Sequence, residues 1–172
     1  MYWWRVWKRL KPLYNLKECT FFDPHSHLKL SNILFVTLTY ATKKTTISDA
    51  WETIGKDFNK YMRNLRKKYG RISYLRCWGA FRKGYPHIHV IMILHDYTFQ
   101  VTRIKGKYQV LEKEAFERSY HSFVDVQAIR ELNKGIQYLT KYLTKSRKET
   151  QTQNLTLALC CYAGYLENSP LP

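Results

Sequence analysis

Acidic residues are scarce in this 172-residue chain: 13 Asp and Glu stand against 29 Lys and Arg, a formal net charge of +16. A balance this basic points to a polyanionic partner, either nucleic acid or an anionic membrane surface. Long apolar runs are missing too. The longest largely apolar stretches, Ile33 to Val36 and Ile88 to Leu94, fall far short of the roughly 20 residues a bilayer-spanning helix needs. The N-terminus, Met1-Tyr2-Trp3-Trp4-Arg5-Val6-Trp7, lacks the apolar core and cleavage site of a secretory signal, so a cytoplasmic location and no membrane partner are expected. Cysteine is limited to Cys19, Cys77 and the adjacent Cys160 and Cys161, which suits neither a zinc knuckle nor a disulfide framework; reduced, partly buried thiols are expected. Repeats and low-complexity tracts are lacking. What remains is a 45% hydrophobic fraction, enough for a real core, and 14 Tyr, 8 Phe and 5 Trp, which can serve as core or as stacking surfaces for bases.

Pattern and punctuation predict an α+β domain, an antiparallel sheet with helices packed against it. Residues 1–30 read as an irregular N-terminal extension that wraps the body, broken at Pro12 and Pro24, with the Trp cluster packed on it. Ile33 to Tyr40 reads as a strand. A helix follows with Ser48 as N-cap; Trp51, Ile54, Phe58, Met62 and Leu65 recur at helical spacing, and Gly70 closes it. Ile72 to Phe81 and His87 to Leu94 form a hairpin whose connection contains Gly84 and Pro86. Residues 96–111 read as a loop or short hairpin around Gly106, Glu112 to Tyr120 as a short helix, and Ser122 to Val126 as a strand. Asn133 to Ser146 reads as a helix, and residues 151–172 as a further helix with a frayed tail.

Three features carry chemistry. His87-Ile88-His89 lies on a predicted strand, so period two puts both imidazoles on one face and the apolar Ile88, Val90, Met92 and Leu94 on the other. Two imidazoles so placed can hold one divalent metal; the same pattern alone also describes a plain pair of surface or core histidines. Tyr138 and Tyr142 stand i, i+4 on the predicted helix, off the Ile136, Leu139 and Leu143 stripe, and Lys141 and Lys145 each follow a tyrosine by three residues. A phenol of reference pKa about 10 needs help to become a nucleophile, and cations stabilise charge on a phosphate. Two tyrosines on a basic, DNA-facing helix are the plainer alternative. The third feature, Phe35-Val36-Thr37-Leu38-Thr39-Tyr40, is by composition only a strand.

Together and in this order, the chain resembles the HUH-superfamily endonucleases, specifically the two-tyrosine rolling-circle replication initiators of plasmids and viruses. Phe35-Val36-Thr37-Leu38-Thr39 is similar to their first motif, Gly84-Tyr85-Pro86-His87-Ile88-His89-Val90 to the second, and Tyr138 through Lys145 to the third. The resemblance implies an HUH (RRM-like) nicking domain over residues 31–150. It implies that His87 and His89 hold Mg²⁺ or Mn²⁺ against the scissile phosphate of single-stranded origin DNA. Tyr138 or Tyr142 then attacks, leaving a 5′-phosphotyrosine and a free 3′-OH; Tyr142 is favoured for the first cleavage, and the second tyrosine permits termination. A host helicase and polymerase are the further partners implied.

One position departs from the family pattern. The usual third ligand, a Glu eight residues before the first His, is Gly79 here. Gln137, Asp125 and His121 are the substitutes within the sequence, and restoring Gly79→Glu is expected to strengthen metal-dependent nicking. Arg63, Arg66, Lys67, Lys68, Arg82, Lys83, Arg147 and Lys148 are candidate phosphate contacts, and Trp78, Phe81 and Tyr85 candidate base-stacking residues. Two alternatives stay open: a catalytically weakened origin-binding protein or repressor, and an HUH-type transposase.

Overall fold

The computed structural model describes residues 20–22, 29–129 and 136–137. Eight strands form one antiparallel sheet: β1 (Thr20–Phe22), β2 (Lys29–Ser31), β3 (Ile33–Thr39), β4 (Ile72–Ala80), β5 (Pro86–Leu94), β6 (Phe99–Ile104), β7 (Lys107–Val110) and β8 (Val124–Ala128). Their spatial order is β1-β2-β6-β7-β8-β3-β5-β4. Two helices complete the described residues, α1 (Ile47–Tyr69) and α2 (Glu114–Ser119). The expected α+β architecture holds. The irregular reading of residues 1–30 needs correction, because β1 and β2 extend one edge of the sheet. The N-terminal Trp cluster, the helix expected over Asn133 to Ser146 apart from helical Ile136 and Gln137, and the helix expected after residue 151 lie outside the described residues.

Period-two alternation divides the sheet into two unlike faces. On one face, Leu34, Val36 and Leu38 of β3, Ile88, Val90, Met92 and Leu94 of β5, and Val124 and Val126 of β8 meet Ile54, Phe58, Met62 and Leu65 of α1 and Phe116 of α2 in the main core. Complete burial of one such leucine stabilises by roughly 1.5–3 kcal/mol, so this face holds the fold together. The other face carries a smaller cluster, Ile33, Cys77, Ile91, Ile129 and Ile136. Cys77 is buried there as a free thiol, and burial pushes its pKa up to about 12. That residue matches the expected reduced, inert thiol.

α1 starts earlier than expected. Thr46, not Ser48, is the N-cap, and its Oγ1 accepts from the Asp49 backbone N–H at 3.2 Å. Asp49 three residues on completes the choice, since its carboxylate accepts from the Thr46 hydroxyl at 2.6 Å. Gly70, at φ 79°, ends the helix where a side chain would be strained. Residues 96–111 resolve into the hairpin of β6 and β7, turned at Lys105 and Gly106, both at positive φ. Among the described residues, no helix is long and apolar enough to cross a membrane.

Candidate functional site

The histidines occupy the face opposite α1. β5 is flanked by β3 and β4, and register fixes what stands beside each imidazole. His89 pairs with Thr37 on one side and Cys77 on the other; His87 pairs with Thr39 and Gly79. One strand further out, Asp125 of β8 pairs with Thr37. Two cross-strand rows result, Asp125–Thr37–His89–Cys77 and, at the sheet end, Thr39–His87–Gly79. By composition the strand of Thr37 is plain β-structure; in the fold it carries a hydroxyl to His89.

Both imidazoles are 6% exposed. Their ring centroids lie 4.7 Å apart, edge to face. Phe35 stacks on His89 at 5.5 Å, and Thr37 Oγ1 lies 3.0 Å from His89 Nδ1. With Nδ1 donating to that hydroxyl, Nε2 keeps its lone pair for another partner. Phe81 lies against His87 at 4.5 Å. On its other side His87 rests over Gly79: a Cβ there would come within 2.3 Å of Nε2. Gly79 has no positive φ, so glycine is required there for space and not for backbone conformation.

Burial pushes both imidazoles down from 6.5 to about 4, and for His89 the neighbouring His87 adds to the effect. Each is therefore neutral near pH 7, the form that ligates metals. The linkage sign follows. Between pH 6.5 and about 4 the unfolded chain binds protons that the folded chain refuses, so stability is complete above 6.5 and falls as pH drops toward 4. Denaturant titrations at pH 7 and pH 4.5 should show a loss of a few kcal/mol. His87→Asn should flatten the dependence, and an equal slope in that variant would locate the titrating group elsewhere.

The two nitrogens fit a divalent ion as part of its ligand set. Among the described residues, no group of three or more His, Cys, Asp or Glu is placed to hold one. Asp125 does share the histidine face, but two strand spacings, about 10 Å of backbone, separate it from β5, and its carboxylate accepts from Gln127 Nε2 at 2.5 Å. His121 lies instead beside Asp57 of α1, at 3.9 Å, with its ring 5.1 Å from Tyr40. Tyr40 donates to the Asp57 carboxylate at 2.5 Å, and burial raises its pKa far above the ordinary phenol value. That cluster belongs to the α1 side and leaves the histidine face without His121. Gln137 is exposed next to Ile136, which is fully buried on the histidine face.

The expected DNA contacts divide. Arg63, Arg66, Lys67 and Lys68 ride on α1, across the sheet from the histidines; Arg66 donates to the Ile72 carbonyl and lies over Tyr74. Arg82 and Lys83 are exposed in the β4–β5 turn, at the His87 end. Of the expected stacking residues, Trp78 packs on the α1 side against Arg76, and the Tyr85 hydroxyl reaches the Thr42 and Thr45 carbonyls at 3.1 and 2.8 Å. Of the three, Phe81 alone is exposed on the histidine face. Tyr85 straps the β4–β5 turn to the β3–α1 loop, and Trp51 Nε1 donates to the Gly84 carbonyl at 2.9 Å. This brings exposed Lys43 and Lys44, which sequence reasoning does not single out, to the same end as Arg82 and Lys83. Tyr138, Lys141, Tyr142, Lys145, Arg147 and Lys148 lie outside the described residues.

Neither curated proteins nor solved structures yield a match. The family model for the ORF2-type replication-associated protein matches residues 33–147, about two thirds of the sequence and all of the histidine face. With β3, both histidines and the tyrosine segment inside that match, the chain belongs to the ORF2-type replication-associated protein family.

Proposed function

We propose that the chain starts replication by nicking and rejoining single-stranded DNA with a tyrosine nucleophile, as an HUH-type initiator. The observation that carries this reading is the burial of Ile136 on the face that holds two adjacent, neutral imidazoles. Tyr138 follows Ile136 by two residues, and two residues of chain reach no further than about 7 Å. Nucleophile and metal-binding pair thus come from one surface. The Oη of Tyr142 or Tyr138 attacks phosphorus, the bond to the 3′ oxygen breaks, and the products are a 5′-phosphotyrosine and a free 3′-OH. Lys141 and Lys145 offset charge on the phosphate and favour loss of the phenol proton. A divalent ion on His87 and His89 supplies polarisation of the scissile phosphate. Two nitrogens with no carboxylate suit Mn²⁺ better than Mg²⁺.

Incubation with Mn²⁺ and labelled single strands tiling the DNA beside its own gene should give a covalent adduct, linked to the 5′ side of the break, on a denaturing gel. Gly79 favours a second reading, an origin-binding protein without nicking activity, since its position supplies no carboxylate to the pair. Failure to form any adduct with Mg²⁺, Mn²⁺ or Co²⁺, with binding intact, would decide for that reading.

A further inference from the structure

Few large apolar side chains are exposed among the described residues, and two of them bracket His87. Phe123 is 67% exposed and Phe81 45%. Phe123 sits just before β8, and its carbonyl accepts from the Thr39 backbone N–H at 3.1 Å, which continues the β3–β8 ladder to the position beside Thr39. Alternation puts that position on the histidine face with Asp125 and Gln127. Phe81 sits just after β4, its N–H donating to the Tyr85 carbonyl at 2.9 Å, and its ring lies against His87. The end row of the sheet therefore reads Phe123, Thr39, His87, Phe81. The two rings stand on the outer strands of four, about 14 Å apart at strand spacing. The loops rimming this end carry exposed Lys43, Lys44, Arg82 and Lys83, so the charge suits a phosphate backbone.

We propose that Phe81 and Phe123 are stacking posts for two bases on either side of the phosphate held at His87, so that this end of the sheet takes an unpaired single strand and refuses duplex. The proposal rests on the nucleic-acid part of the reading above, and not on nicking. A folded globular protein gains nothing by leaving two phenyl rings in water beside a cationic rim, whereas a base has an apolar face of matching size and a phosphate on each side. In a duplex both faces of each base are already stacked, and the posts have nothing to hold.

The test is fluorescence anisotropy with labelled single-stranded and duplex oligonucleotides in excess chelator, so that no cleavage intervenes. Phe123→Ala should weaken single-strand binding roughly five- to hundredfold, Phe81→Ala similarly, and leave duplex binding unchanged. Phe123→Trp should restore affinity, and its fluorescence should be quenched by single strands. Leu111→Ala, at a comparably exposed apolar residue beyond β7, serves as control and should change nothing. Wild-type affinity in both Ala variants, or equal losses for single strand and duplex, would overturn the posts. Because chelator silences nicking, that outcome leaves the adduct experiment to stand or fall by itself.

Discussion

Gly79→Ala should lower Mn²⁺ affinity roughly tenfold to hundredfold, and Gly79→Glu should do no better. The family pattern invites the opposite expectation, that a carboxylate at this position restores a missing ligand. The geometry decides against it. The new Cβ would lie 2.3 Å from His87 Nε2 and 2.8 Å from Cε1, closer than any real contact. The imidazole cannot simply lean away, because Phe81 lies on it at 4.5 Å and His89 at 4.7 Å. Overpacking of this kind costs about 1–3 kcal/mol, and it turns one of the two ligands out of place. Calorimetric titration with Mn²⁺ and thermal unfolding of the same variant check both halves. Unchanged affinity with unchanged stability would mean that the ring yields freely. A gain with Glu would mean that the carboxylate joins the pair after displacing it.

Tyr138→Phe combined with Tyr142→Phe should abolish the covalent adduct while single-strand affinity changes little. The substitution removes only the two hydroxyls that can bond to phosphorus; the rings, the lysines and the histidine face remain. Of the single variants, Tyr142→Phe should show the greater loss of first cleavage, and Tyr138→Phe should spare it but block the later joining step. Adduct formation in the double variant would remove both tyrosines from the mechanism altogether, and a search among the remaining nucleophiles would have to begin again. Labelled-strand gels with time courses separate these results.

The division of the sheet is readable in the sequence because period two is local. Ile88, Val90, Met92 and Leu94 alternate with His87 and His89 within nine residues, so the faces of β5 follow without any partner. The same holds for α1, where Ile54, Phe58, Met62 and Leu65 repeat at helical spacing. Partner choice is not local. Nothing in Val124-Asp125-Val126 says that it docks beside β3, and so the alignment of Asp125, Thr37 and His89 has no signature. β1 and β2 escape for a different reason: strands of three residues are too short to display alternation. Ser48 and Thr46 are both good caps by composition, and Thr46 prevails through the carboxylate three residues on. Lys43 and Lys44 read as ordinary loop charges until the Tyr85 hydroxyl brings their loop to the β4–β5 turn.

The place of β3 between β5 and β8 also bears on when the site comes into being. Thr37 waits for His89, 52 residues downstream, and its other flank stays open until β8 arrives later still. During synthesis, then, β3 to β5 can form with α1 as a local unit, but the row through Asp125 closes only after most of the described chain has emerged. Such distant pairing makes loop closure the slow step of folding. A nascent chain stopped before β8 would present β3 as a bare edge, open to pairing with another chain. Competence to handle DNA is thereby tied to completion of the sheet, and a protein of this charge is kept from acting on nucleic acid while still half made.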